Sequence, residues 1–264
     1  MAKLNFKDKW VLVTGASSGL GRAIALYLAK KEHANLVIAA RRTEQLEQLK
    51  TEIESSSGAA VKIITVDLAD PEQVESLFTT SVASADIYAV INNAGATFYG
   101  KAGTEYLEKF SKIIDVNLKA LITLSLRFLE WFEKKGEGAI LNITSEAGLV
   151  VTPYQTVYSA SKHAAQAFTE GLRLENRKSP VVISSFAPGG IATEMLSRSG
   201  LDKKHGLDSS FNMNVDIAAR LAVKAFKKKK FLSVPGFINK LIHFLTRFFS
   251  RKWVATLSES VYRP

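Results

Sequence analysis

The chain has 264 residues, 47% hydrophobic and 23% charged, a balance that suits a folded globular protein and argues against disorder. It contains no cysteine, which excludes disulfides, thiolate metal sites and a cysteine nucleophile. The net charge of +10 is confined to one end: residues 220–264 hold 11 Lys and Arg against the single acid Glu259, and the preceding residues balance. That placement points to a local basic surface and away from a nucleic-acid-binding protein.

Residues 1–9 are short and polar, without the apolar centre of a signal peptide, and no stretch approaches the ~18–20 apolar residues of a membrane-spanning helix. The expectation is a cytoplasmic protein, with peripheral contact at a membrane surface left open. Short apolar runs rich in Val, Ile and Leu recur at 10–14, 36–40, 61–66, 87–91, 139–144, 181–186 and 231–234. They lack polar alternation and read as strands covered on both faces. Between them, 20–31, 44–54, 71–83, 104–135, 154–178 and 215–228 carry apolar residues at three- and four-residue spacing and read as helices. Asp70-Pro71-Glu72 is a helix start, with a capping acid and proline in the first turn. Such alternation predicts an α/β fold, a doubly wound and mostly parallel sheet of about seven strands with helices on both faces. No internal repeat or linker divides it, so one domain over 1–264 is expected. Residues 194–214 fit neither pattern and are expected to form a substrate lid.

Thr14-Gly15-Ala16-Ser17-Ser18-Gly19-Leu20-Gly21 joins the first strand to the first helix. A pyrophosphate needs backbone N–H groups at a helix N-terminus and no side chains in the way. Gly15, Gly19 and Gly21 supply the clearance, and the hydroxyls of Thr14, Ser17 and Ser18 can donate hydrogen bonds. Further on, Tyr158 and Lys162 are four apart and so share a helix face. A nearby ammonium favours phenolate and is expected to lower the phenol's pKa. His163 points about 100° away from Lys162 and is read as structural. The four histidines, 33, 163, 205 and 243, form no ligand-spaced cluster, and no catalytic metal is expected.

In order, the glycine-rich turn, Asn92-Asn93-Ala94-Gly95 after the fourth strand, Asn117, Ser145, Tyr158-x-x-x-Lys162 and Pro188-Gly189 after the sixth strand resemble the short-chain dehydrogenase/reductase family. The resemblance runs from about residue 10 to 193, and loosely to about 234. It implies a Rossmann-type oxidoreductase moving a hydride between a nicotinamide and a carbonyl or alcohol. Tyr158 would be the general acid/base and Lys162 would support it and bind the nicotinamide ribose. Ser145 would hydrogen-bond the substrate oxygen, and Asn117 would hold a water linked to Lys162.

The cofactor would rest on Gly15, Ser17, Ser18, Gly19, Leu20 and Gly21, with Asn93, Ala94 and Gly95 alongside. Asp67 and the Leu68 backbone would contact adenine. Pro188, Gly189, Ile191 and Thr193 would border the nicotinamide, Thr193 at its carboxamide. The second strand ends Ala39-Ala40-Arg41-Arg42. Ala40 stands where the family's NAD enzymes carry Asp, and Arg41 and Arg42 can take a 2′-phosphate. NADP(H) is therefore preferred, with NAD(H) allowed. Tyr154, Gln155, Met195, Leu196 and 197–214 would join Ser145 and Tyr158 in shaping an apolar substrate pocket, for a ketoacyl, steroid-like or xenobiotic carbonyl. The family also implies a homodimer or homotetramer through the two long helices.

The tail from 235 to 264 has its own pattern. Phe237, Ile238, Leu241, Leu245, Phe248 and Phe249 share one helical side, and Lys240, His243, Arg247 and Arg251 the other. Three uses stay open for this basic amphipathic stretch: contact with an anionic membrane through 237–252, packing on protein, or walling the substrate pocket. A catalytically silent nucleotide-binding protein at a membrane or partner interface is the alternative function. The complete set of Asn117, Ser145, Tyr158 and Lys162 argues for the enzyme.

Overall fold

The computed structural model describes residues 3–195, 212–246 and 248–264, with every side chain among them except that of Ile238. Leu196, Arg247 and most of the expected lid lie outside the described residues. Seven strands, β1 (Trp10–Thr14), β2 (Asn35–Ala40), β3 (Val61–Thr65), β4 (Ile87–Asn92), β5 (Gly138–Ile143), β6 (Val181–Phe186) and β7 (Leu232–Ser233), form one sheet in the order β3-β2-β1-β4-β5-β6-β7. Every pairing is parallel. The first six match the apolar runs to within a residue at each end. The seventh shrinks to two residues because only Leu232 and Ser233 find partners, on Ser185 and Phe186.

Alternate side chains of each strand go to opposite faces, and both faces are covered. Val11, Val13, Leu36 and Ile38 pack against α1 (Gly19–Glu32), α2 (Thr43–Ser57) and the later helix α7 (Val215–Lys227). Leu12, Val37, Val90 and Ile140 pack against α3 (Pro71–Ser84), α5 (Ala120–Lys135) and α6 (Thr156–Glu175). The predicted start of α3 is built as expected: the Asp70 carboxylate accepts from the N–H groups of Glu72 and Gln73 at 2.9 and 3.3 Å. Strand order reverses between β1 and β4, and the crevice beyond their C-terminal ends is where ligands bind in such sheets.

Two helical expectations need correction. The stretch 104–135 is a 3₁₀ turn (Thr104–Tyr106), α4 (Leu107–Ile114), a π-helical turn (Asp115–Lys119) and then α5. The π turn puts one extra residue in the helix and carries Asn117 inward, where it is fully buried. The tail is not one amphipathic helix through 237–252. It breaks between α8 (Phe237–Leu245) and α9 (Arg251–Tyr262), where the Ser250 hydroxyl caps the second helix by accepting from Trp253 N–H at 3.2 Å. The break divides the apolar residues between two surfaces. Leu245 and Phe249 turn into a cavity beside the sheet, while Phe237 and Phe248 stay 79% and 70% exposed.

Candidate active site

A cavity of about 1050 Å³ runs from the glycine-rich turn, along the C-terminal ends of β1, β4 and β5, to the two tail helices. At its nucleotide end Gly15 has φ +67° and Gly19 φ +55°, left-handed conformations that favour glycine. A Cβ on Gly15 would come within 2.8 Å of the Ala94 Cα. The turn therefore lies directly against the loop after β4, and side chains there would fill the cradle. Thr14 holds the two together, and this corrects its expected role. Its buried hydroxyl accepts from the N–H groups of Asn93 and Ala94 at 3.0 and 3.1 Å and is not presented to a phosphate. The Asn93 side chain donates back to the Thr14 carbonyl at 2.9 Å. Ser17, Ser18, Gly19, Leu20, Ala94 and Gly95 line the cavity; Gly21 and the Asn93 amide shape the turn from behind.

Arg42 is drawn onto this turn. Its guanidinium donates to Ser18 Oγ at 2.6 Å and to Ser17 Oγ at 3.1 Å, and pairs with Glu194 at 3.1 Å. Arg41 lies exposed at the cavity rim. Asp67 and Leu68 line the same end; Asp67 also accepts from Ala69 N–H at 3.1 Å, so it closes its own turn. Pro188, Gly189, Ile191 and Thr193 also line the cavity, with the Thr193 side chain against Gly19. Met195 reaches across so that its Cε would lie 3.6 Å from a Cβ on Gly95.

The chemical groups converge at the centre. Ser145 follows β5, accepts from Ala147 N–H at 3.1 Å, and lines the cavity together with Tyr158. Lys162, one turn further along α6, is buried, donates to the Ile143 carbonyl at 3.0 Å, and sits 5.9 Å from the Tyr158 ring centre. Burial raises the Tyr158 phenol above its usual value, opposed in part by Ser145, and lowers Lys162 to about 8. The direction is opposite to the expected lowering by the ammonium, because burial of the phenol dominates in the protein alone. Asn117 accepts from Ala96 N–H at 2.7 Å and donates to the Ala96 carbonyl and Ser161 Oγ, both at 2.9 Å. Both amide protons are therefore occupied in fixing the β4 loop to α6.

Tyr154 is placed differently from expectation. Its backbone is left-handed, φ +62°, and its hydroxyl points to Glu259 Oε1 of α9 at 3.4 Å rather than into the cavity. Gln155 does line the cavity and donates to Thr97 Oγ1 at 3.2 Å. Missed by the motif reading are Glu146, Asn239 and Tyr262, and the apolar wall of Trp253, Val254, Leu257 and Val261. An acid immediately after a buried strand and beside Ser145 was a readable signal. Among the described residues no group of His, Asp or Glu gathers as metal ligands.

A parallel doubly wound sheet whose reversal point opens onto a phosphate-sized glycine cradle and a buried Tyr–Lys pair defines a dinucleotide-type oxidoreductase fold. The chain belongs to the short chain dehydrogenase family, whose model matches residues 9–204. It is 33% identical over 240 residues to an uncharacterized oxidoreductase of Staphylococcus saprophyticus, covering 89% of this chain and 96% of that protein. It is 31% identical over 203 residues to the very-long-chain 3-oxoacyl-CoA reductase of Anas platyrhynchos, covering 74% of this chain and 64% of the duck protein. A short-chain dehydrogenase from Sphingobium yanoikuyae, solved in complex with NADPH, has a TM-score of 0.81 at 27% identity, covering 92% of this chain and 96% of that one.

Proposed function

We propose that the protein is an NADP(H)-dependent oxidoreductase that interconverts a carbonyl and an alcohol, with Tyr158 moving the proton. The observation that carries this reading is the convergence of Tyr158, Ser145 and Lys162 on the same cavity that the glycine-rich turn opens. The residues fit a dinucleotide: glycines at 15 and 19 keep the turn before α1 free of side chains of its own, and Tyr158 and Lys162 lie further along the same cavity. When bound, the nicotinamide supplies or accepts the hydride. In the direction of reduction, Ser145 donates to the carbonyl oxygen and steadies its growing negative charge. Tyr158 gives that oxygen its proton, and the Lys162 ammonium offsets the phenolate left behind. A raised phenol is in the protonated form that reduction requires at neutral pH. The test is NADPH oxidation over a panel of ketones with Tyr158→Phe as control; no turnover of any ketone would leave the silent nucleotide-binding alternative.

Preference for NADP(H) rests on Arg41 and Arg42. Arg42 is already held by Ser17 and Ser18 beside the cradle, and Arg41 flanks the rim, with no acid at Ala40. Losing a charge-assisted hydrogen bond is worth about 1.5–3 kcal/mol, roughly 10–100-fold in affinity. Arg42→Ala and Arg41→Ala are each expected to raise the KM for NADPH by that order and to leave the KM for NADH nearly unchanged. Equal effects on both cofactors would remove the assignment.

The substrate end is walled by Ile242, Leu245, Phe249, Trp253, Leu257 and Val261, which suits an apolar carbonyl such as a ketoacyl, steroid-like or xenobiotic compound. The outer side of the same tail carries Phe237, Leu241, Phe244 and Phe248, all exposed, with Lys240, Arg251 and Lys252 exposed nearby. No helix among the described residues is long and apolar enough to cross a membrane. The apolar ridge and the local positive charge suit the surface of an anionic bilayer. Sedimentation with vesicles of phosphatidylcholine and phosphatidylglycerol is expected to capture the full chain, to weaken with salt, and to fail for Phe244→Ser/Phe248→Ser. Light scattering on both proteins checks the rival cover, a second copy. A dimer or tetramer that dissociates in the double variant, without vesicle binding by the parent, would replace the membrane reading.

A further inference from the structure

The cavity is mostly apolar toward its tail end, yet it holds one carboxylic acid that the proton chemistry does not use. Glu146 follows Ser145 directly, and its backbone is pinned at three points. Its N–H donates to the Pro188 carbonyl at 2.8 Å, and its own carbonyl accepts from Leu149 and Val150 N–H at 2.8 and 3.0 Å. The side chain lies over Gly189: a Cβ there would fall 2.8 Å from Glu146 Oε2 and 2.5 Å from Asn239 Nδ2, so both side chains border that point of the wall. Asn239 is itself steadied by donating to the Pro235 carbonyl at 3.1 Å. Tyr262 approaches from α9, with its main-chain carbonyl held by the Tyr99 hydroxyl at 2.9 Å.

Among the described residues no hydrogen bond or ion pair reaches the Glu146 carboxylate, and burial alone raises it to about 7. Tyr262 lines the same cavity, and its phenol is pushed up to about 12, chiefly by burial. Glu146 is half-buried on the cavity wall, so its carboxyl is free to accept from a ligand that brings a donor. A hydroxyl is a neutral donor that an apolar skeleton lying along this wall can carry.

We propose that Glu146, flanked by Asn239 and Tyr262, is a subsite for a hydroxyl group on the substrate, so that the preferred substrates are apolar ketones bearing a hydroxyl a few carbons from the carbonyl. This rests on the carbonyl-reductase reading for the position of the reacting oxygen at Ser145 and Tyr158. Residues 145 and 146 are adjacent, about 3.8 Å apart at Cα, which keeps the second group close to the first.

The probes are methyl octyl ketone and hydroxyketones of the same skeleton, with the hydroxyl one, two or three carbons from the carbonyl. Turnover is followed by NADPH oxidation, and binding is followed independently by calorimetry in the presence of NADPH. The parent protein is expected to favour one of the hydroxyketones, and Glu146→Leu to reduce that preference, the ratio of the two kcat/KM values, by about 10–100-fold. The preference is expected to strengthen as pH rises through about 7 in the parent, as the carboxyl ionises into a better acceptor, and to lose that dependence in Glu146→Gln. A hydroxyl preference that is absent in the parent, or that survives Glu146→Leu in binding and turnover, overturns the subsite. If no ketone is turned over but the hydroxyl preference persists in binding and depends on Glu146, the reductase reading falls and the subsite stands.

Discussion

Tyr158→Phe is expected to lower kcat for carbonyl reduction by about 10²–10⁴-fold, the range that general acid catalysis contributes, with the KM for NADPH changed only slightly. The substitution removes one oxygen and leaves the ring in place on α6, so the cradle at Gly15–Gly21 and the Lys162 side chain keep their surroundings. What is lost is the proton donor next to Ser145. The pH profile of the parent carries the same argument. Lys162 is held at about 8 by burial, so it is an ammonium below that value and a neutral amine above it. Loss of its charge withdraws support from the phenolate that forms as Tyr158 gives up its proton. Reduction is therefore expected to decline as pH rises through about 8. Oxidation of the alcohol needs phenolate from the start and is expected to increase with pH. Stopped-flow and steady-state rates across that range check both limbs. Full activity in Tyr158→Phe would assign the proton to another group.

Gly21→Ala is expected to damage both the fold and the nucleotide end. A Cβ at this position would fall on the Gly15 carbonyl oxygen and the Asn93 amide nitrogen, closer than van der Waals contact permits. The first of these is backbone and has no rotamer to adopt. The neighbouring Asn93 amide also donates to the Thr14 carbonyl, so displacing it loosens the tie between β1 and the loop after β4. Overpacking of this kind costs about 1–3 kcal/mol, or roughly 3–10 °C in Tm for a chain of this size. A larger relative loss is expected in NADPH affinity, because the turn that moves is the phosphate cradle. Titration of NADPH by fluorescence alongside a thermal melt distinguishes the two effects. Unchanged affinity with an unchanged Tm would show that the turn tolerates the methyl group.

The strands were legible because each is buried on both faces and so appears as an uninterrupted apolar run, as at 36–40 and 87–91. The ordered motifs likewise picked out Ser145, Tyr158 and Lys162, which the fold brings to one cavity. What the sequence concealed depends on backbone geometry. Tyr154 sits in a left-handed conformation just before α6 and is turned away toward Glu259, a rotation that residue spacing does not reveal. The π turn around Asn117 adds a residue within an otherwise continuous helical pattern, and the periodicity alone reads straight through it. In the tail, Ser250 three residues before Trp253 was a capping signal, but the apolar pattern continues across the break and masked it. Glu146 was passed over because it lies between two motif positions without belonging to either.

The two ends of the cavity come from distant parts of the chain: the turn at Gly15 and the last helix, with Tyr99 gripping the Tyr262 carbonyl. During synthesis on the ribosome the glycine-rich turn is made early, and the far wall of the cavity is enclosed only after α9 has been made. The break between α8 and α9 marks the same division in the folded protein, with the far wall of the cavity carried by a separate helix that Tyr99 and Tyr154 tie to the body.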